Sequence, residues 1–489
     1  MNNNDKDIEN YKDNKDIIDN KEINNSIEDT AKETEGVATI LGDPKKALLK
    51  LSGPMIIALL ISSLYSLIDG VWVAGLGDNA LAAIGFISPI FLSLMGFSEG
   101  LGIGATSVIS RFIAEGDKAK ADNAALHIML LTVVFTIIAV VVLGLFLEPL
   151  LEILGAGATI NLGLSYGNIL FAGSIFMVFT GASYGIFMGE GNVKKVTYAM
   201  SFGAILNIIL DPIFIYLFDF GIVGAGIATV SSLAIVSVMI LYWFKKDTYI
   251  NFSLKFFNFS SSILKKILAV GMPAGAESLI IAFLEGFLIM ILVFVSGTDA
   301  VAVYSLGWVV IMIAIVPIIS VADSTVPIVA ASFGAGKYEN LKVIQNYSIK
   351  VGILIAIITA IATFFLAPYI AGIFTYTPET LGLHGLITDF LRVMALFCIV
   401  APVGYISTSI FQGLGKGLYS FILSIISQLI LIVIFAYVLA ISFGWGQYGV
   451  WWGIILGDLS GSIIGFVWTK LYIMRMELLK MSIIINYII

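Results

Sequence analysis

Residues 207–215 read Asn-Ile-Ile-Leu-Asp-Pro-Ile-Phe-Ile, a carboxylate with an amide one helical turn before it and a proline directly after it, inside an apolar run. An aspartate at the centre of a bilayer-spanning helix costs about 2.5–3.5 kcal/mol on insertion scales, so such a residue is a functional suspect from the outset. The chemistry open to Asp211 in that setting is exchange of a proton or capture of a hard cation. A second acid, Asp69, lies far upstream, one turn after Tyr65. Two carboxyl groups close together and away from water favour holding a proton, because desolvation and the neighbouring charge both penalise ionisation. With amide and hydroxyl oxygens beside them, the same pair makes an oxygen-lined site for Na+. The residues alone leave both open.

The elements that would carry these acids are membrane helices. Of 489 residues 59% are hydrophobic and only 12% charged, too few charges to solvate the surface of a soluble protein of this length. A helix needs about 20 mainly apolar residues to cross a bilayer. Twelve such segments are expected, near 47–74, 82–112, 122–147, 161–189, 196–218, 222–244, 265–296, 301–333, 345–368, 384–412, 418–442 and 447–472. Lys and Arg fall in alternate connections. Lys45, Lys46 and Lys50 precede the first span, and Lys118 and Lys120 follow the second; Lys194 and Lys195 follow the fourth, and Lys245 to Lys266 surround the sixth-to-seventh connection. The intervening loops, such as 75–80, 148–161, 219–224 and 443–447, contain neither residue, and only Arg392, inside the tenth span, departs from the pattern. This is the positive-inside distribution, with both termini in the cytoplasm.

Residues outside the spans exclude other classes. The Asn/Asp/Glu/Lys-rich stretch at 1–36 has no apolar period and reads as a solvated tail, disordered to about residue 44, without signal-peptide features. Residues 248–263 read as a cytoplasmic linker between an N-terminal bundle, 45–247, and a C-terminal bundle, 264–473, and 474–489 as a cytoplasmic tail. The single cysteine, Cys398, excludes an intrachain disulfide; His127 and His384 are too far apart to form a metal set; and nothing is basic enough for nucleic acid. No cofactor is expected beyond a coupling H+ or Na+.

The halves echo each other about 220 residues apart. Ala114–Asp117 recurs as Gly334–Lys337, Phe187–Asn192 as Phe411–Lys416, and Phe220–Gly224 as Trp445–Gly449. Six spans per half keep both halves in the same orientation, a parallel repeat that sets a cavity between two bundles and allows one to rock against the other. The expected fold is therefore all-α and integral to the membrane: two six-helix bundles forming a V around a central cavity. The symmetry breaks at the acids. Asn207 and Asp211 fall opposite Leu431 and Phe435, and Asp69 opposite about Leu288. Only the first half carries acid at these places, which marks the acid as used.

Tyr65-Ser66-Leu67-Ile68-Asp69 running into Gly75–Ala83, the Gly-rich turns at 114–117 and 334–337, the Gly-x-Gly turns at 189–191 and 413–415, and 207–215 together resemble the multidrug and toxic compound extrusion (MATE) family over about residues 45–472. The resemblance implies export of organic, often cationic or aromatic compounds across the cell membrane by antiport with H+ or Na+, through alternating access. It is to the branch that keeps its acidic pair in the N-terminal half. That branch implies Asp69 and Asp211 as proton or cation ligands, with Tyr65, Asn207 and Thr229 as polar partners. For Na+ the ligands would be Asp69, Asp211, Asn207 and Thr229. Pro54 is implied as the point where the first helix bends. Tyr65/Asp69 and Asn207/Asp211 are i,i+4 pairs that share helix faces, and Thr229, about eight residues into a descending sixth helix, reaches the same outer depth.

Other residues compete for roles. Glu277 and Glu285 in the seventh span, with Met177 and Phe179 in the fourth, are candidates to line a substrate cavity; Glu99, Asp323 and Asp458 are further intramembrane acids. Each also has a plain structural reading as packing or as an ion-pair partner. An intramembrane aspartyl protease is disfavoured: Gly75-Leu76-Gly77-Asp78 matches its Gly-x-Gly-Asp string, but Asp78 falls in an external loop. We expect no enzyme activity. The alternative function is a lipid-linked oligosaccharide flippase of the same superfamily, which needs a basic cavity, whereas the buried charges here are mainly acidic. The expected partners are small organic substrates and the lipid bilayer, and the expected state is a monomer.

Overall fold

In the computed structural model, which describes residues 34–376 and 380–488, eleven helices are long and apolar enough to cross a bilayer. They are Pro44–Ala74, Asp78–Ala114, Lys118–Ile153, Val193–Leu217, Gly221–Lys246, Ser261–Ser296, Thr298–Gly334, Tyr338–Phe374, Leu381–Gly413, Gly417–Ser442 and Gly446–Leu479. A further span, the fourth in order, is a pair, Gly157–Ala172 and Ser174–Gly189, bent by 46°. The bend sits at Gly173, where an added Cβ would lie 2.4 Å from Val230 of the sixth span. With the bent pair taken as one, the described residues hold twelve spans.

The repeat is built into the backbone. Gly116 and Gly336 both take positive φ, 75° and 67°, in matching turns after the second and eighth spans, a conformation other residues adopt at a cost. Past Pro212 the fifth span opens into a π-helical turn, Ile213–Leu217, and the eleventh does the same at Val438–Ser442. Each loosened turn meets a glycine of the next span: Gly224 lies against the backbone of Phe214 and Ile215, and Gly449 against that of Leu439 and Ala440. These matches fix the separation here at 225 residues, so the counterparts of Asn207 and Asp211 are Ile432 and Ala436 rather than Leu431 and Phe435. The eleventh span carries a second π turn, Ile425–Leu431, which the α-helical stretch Val193–Pro212 of the fifth lacks, and its extra residue shifts the register by one position; both counterparts remain apolar and buried.

Apolar packing gives the molecule its shape. One core draws on both halves, joining Leu48, Leu51, Ile109 and Phe187 to Val321, Ile328, Ile344 and Ile410, and it lies toward the lysine-bearing ends of the spans. Toward the opposite ends the cores are separate: the buried residues of one fall within 288–455 alone, and those of three within 73–225 alone. The halves therefore meet at the lysine-rich face and part toward the lysine-poor face. At the junction, glycines bring the second and seventh spans into backbone contact. A Cβ on Gly100 would stand 2.4 Å from the Gly271 carbonyl oxygen, and one on Gly104 2.6 Å from that of Ile267.

Residues 35–41, placed in the disordered tail by composition, instead form a helix; residues 1–33 lie outside the described residues. Thr34 caps this helix by accepting from the Val37 amide, and Val37 and Ile40 are buried in the shared core. Gly36 rests directly on the Glu190 carbonyl and Gly191, where any side chain would clash. The apolar period is too short to stand out beside the polar stretch that precedes it. Glu35 pairs with Lys50 at 2.8 Å and Lys194 at 3.1 Å, but these are exposed contacts of small energetic value.

The linker is strapped to the lysine-rich face. His127 Nε2 accepts from the Ser260 amide at 2.9 Å, Asp122 accepts from Asn251, and Asn123 bonds Asn258 in both directions. Glu190, in the turn after the fourth span, is wholly buried and accepts from the Thr248 hydroxyl and the Tyr249 amide, both at 2.8 Å. Burial pushes its carboxyl up to about 7. A raised carboxyl means the folded chain keeps a proton that the unfolded chain has lost. The Glu190 contribution to stability is therefore greatest at low pH and is lost as pH rises through about 7, by on the order of 3 kcal/mol. Glu190→Gln should flatten that slope, read as melting temperature in detergent between pH 5 and pH 8 (roughly the window in which the group titrates).

Candidate functional site

Asp69 and Asp211 meet inside the N-terminal bundle, their carboxyl groups within hydrogen-bonding distance of each other. Asp211 is wholly buried and Asp69 half-buried. The i,i+4 spacing on the fifth span carries Asn207 to the same face. In the amide orientation that satisfies its neighbours, Asn207 Nδ2 donates to Asp211 Oδ2 at 2.7 Å, and Oδ1 accepts from the Thr229 amide at 3.2 Å. Tyr65 bonds the Thr229 side chain and lies within electrostatic reach of both acids. The Thr229 hydroxyl itself donates to the Ala225 carbonyl at 3.1 Å. The structure thus brings all five predicted residues together, from the first, fifth and sixth spans.

Proline makes part of this arrangement. Pro212 has no amide hydrogen, so the Ile208 carbonyl loses its regular helical partner one turn before the end of the segment; the π turn that follows belongs to the repeat, because the eleventh span forms it after Tyr437. Above the site the Tyr216 hydroxyl donates to the Trp72 carbonyl, with the two rings 6.2 Å apart, and this ties the first span to the fifth. Tyr166, from the first segment of the broken fourth span, also faces both acids. Sequence reasoning missed it, since a lone tyrosine in a Gly-rich segment gives no signal until the bend at Gly173 aims that segment inward.

The remaining candidates disperse. Pro54 is half-buried in a first span that runs unbroken from Pro44 to Ala74. It lies fifteen positions before Asp69, or about 22 Å along the axis. Met177 does not line a cavity: it is 8% exposed, packed in the N-half core around Ile87 and Phe171, because the bend turns it inward. Phe179 packs edge-on to Phe244 at 6.2 Å. Glu277 bonds Ser420, Ser424 and Gln412 within its own half. Glu285 is exposed and near Tyr304. Arg392 lies over the Phe364 ring at 5.4 Å, without a carboxylate partner among the described residues.

A second group of acids lines the cleft between the halves. Glu99 of the second span is exposed although it lies between Gly96 and Gly100, which both meet the seventh span, and Asp323 of the eighth span lies within electrostatic reach of it. Tyr405 lies within electrostatic reach of Asp323 and of Asp458, an acid of the twelfth span that is buried inside the C-terminal half. The floor of the cleft is acidic, and its acids come from both halves.

The comparisons with known proteins agree with this geometry. The MatE family model matches residues 54–213 and again 273–438, once in each half of the repeat. The chain is 26% identical over 418 residues to the multidrug export protein MepA of Staphylococcus aureus (strain MSSA476), covering 84% of this chain and 90% of that one. The Staphylococcus saprophyticus MepA is 25% identical over the same length. Among solved structures, an outward-facing multidrug resistance MATE transporter superposes with a TM-score of 0.89 at 36% identity, covering 91% of this chain and 99% of the other. A MOP-superfamily transporter from Pyrococcus furiosus gives 0.88 at the same identity and coverage. With the family model matched in both halves and the whole two-bundle fold shared, this chain belongs to the MATE family of membrane transporters.

Proposed function

We propose that the chain exports organic, often cationic or aromatic compounds from the cell by antiport with protons, which bind at the Asp69–Asp211 pair. The observation that carries this reading is the approach of the two carboxyl groups, because a hydrogen bond between them requires one proton. In the orientation that satisfies its neighbours, the Asn207 amide oxygen is occupied by Thr229, and its nitrogen faces Asp211. That arrangement offers a cation few free oxygens and suits a proton better than Na+. The acids on the cleft floor support a cationic cargo, and the name of the Staphylococcus aureus relative supports a drug-like one.

The cycle follows from the shape. The halves are closed at the lysine-rich face, which the positive-inside pattern assigns to the cytoplasm, and a proton from outside reaches the pair through the open end. Protonation removes charge from the N-terminal bundle, weakens its hold on a cationic cargo, and biases the rocking of the bundles that returns the proton inside. Proteoliposomes loaded with ethidium or tetraphenylphosphonium test it. A pH gradient alone should drive transport, and an Na+ gradient at equal pH should not. The reverse result would assign the site to Na+.

A further inference from the structure

At the lysine-rich face, where the two halves meet, lies a cavity of about 460 Å³ lined by Ser107, Arg111 and Phe112 of the second span and by Ser261, Ser262, Lys265 and Lys266 of the seventh. Its volume falls in the range of small-ligand pockets. No carboxylate is among its lining residues. Arg111 shares its Nε with Glu115 at 2.9 Å, whereas Lys265 and Lys266 have no carboxylate within 4.0 Å among the described residues. Lys266 stands over the Phe112 ring at 5.0 Å.

Both lysines sit in the second turn of the seventh span, whose first turn carries no acid. A helix start already bears about half a positive charge and is stabilised by anions. Two lysines and an arginine gathered there repel each other and the helix dipole; Glu115 offsets Arg111 and the Phe112 ring faces Lys266, but no carboxylate in the lining meets either lysine. We infer that this cavity binds a phosphate-bearing anion, held by Lys265, Lys266 and Arg111 with the Ser261 and Ser262 hydroxyls as further donors. Basic pockets between spans at a membrane surface take anionic lipid head groups, and soluble phosphate offers the same chemistry. Since each half supplies one wall, the pocket exists only while the lysine-rich ends are together. An anion bound there stabilises that conformation, which is the one described.

The test uses the full chain in mild detergent. Retention of phosphatidylglycerol, with phosphatidylcholine as control, is followed by native mass spectrometry, and binding of radiolabelled orthophosphate by equilibrium dialysis. The paired change K265Q/K266Q should weaken binding about thirtyfold, at about a factor of five per lysine, and K265R/K266R should restore it. Retention of phosphatidylglycerol unaffected by orthophosphate supports the pocket with a lipid as occupant. Saturable orthophosphate binding that the Gln pair abolishes supports it with a soluble occupant. If wild type prefers neither over phosphatidylcholine, or the Gln pair binds as wild type does, the inference fails. The outcome is independent of Asp69 and Asp211, which lie toward the other face.

Discussion

Vesicles containing the Asp211→Asn variant should accumulate substrate no faster than empty vesicles under a pH gradient that drives the wild type, while the protein remains folded. Asparagine keeps the shape of aspartate and its bond to Asn207, so the N-terminal bundle stays packed. It also removes the penalty of a buried charge, which offsets the lost pairing with Asp69. What it cannot do is take up and release a proton, and Ile432 and Ala436 show that the second half has no acid at the equivalent places. Asp69→Asn should give the same loss, because each carboxyl is the other's partner. Transport at the wild-type rate in either variant would remove the pair from the mechanism.

The second large effect concerns the junction between the halves. Gly100→Leu puts a side chain where even a Cβ stands 2.4 Å from the Gly271 carbonyl oxygen and 2.7 Å from Gly275 Cα. Backbone cannot yield as a flexible side chain does, and overpacking of this kind costs about 1–3 kcal/mol. The strain exists only when the lysine-rich ends touch, so it shifts the conformational ratio about 5- to 150-fold toward the form open on that side. A cysteine at position 107 in a Cys398→Ala background reports the change. Ser107 is 3% exposed and bonds the Gln412 carbonyl across the junction at 2.8 Å. Its replacement should be alkylated slowly in the parent and rapidly with Gly100→Leu. Gly85→Leu, at a glycine with nothing within 4 Å, should leave the rate unchanged.

Much of this was legible in the sequence for simple reasons. Apolar length marks membrane helices, lysines mark one face, and a parallel repeat marks two bundles. The i,i+4 spacings of Tyr65/Asp69 and Asn207/Asp211 predicted shared faces, and the helices do bring these residues and Thr229 together. What escaped depends on departures from regular helix. The unmatched π turn at Ile425–Leu431 moved the repeat partners by one residue, and the bend at Gly173 accompanies the burial of Met177 and the approach of Tyr166 to the acids. The short helix at 35–41 and the strap at 248–260 are held by tertiary contacts, Gly36 on Glu190 and Ser260 on His127, which no local pattern announces.

Counting protons on ligand binding tests the role of the acid pair most directly. Purified protein in weakly buffered solution, mixed with an excess of tetraphenylphosphonium, should bind it and release about one proton per chain, the one shared between Asp69 and Asp211. The Asp211→Asn variant should still bind the cation and release none. Equal proton release from the two proteins, or none from the wild type, would contradict the assignment of the coupling proton to this pair.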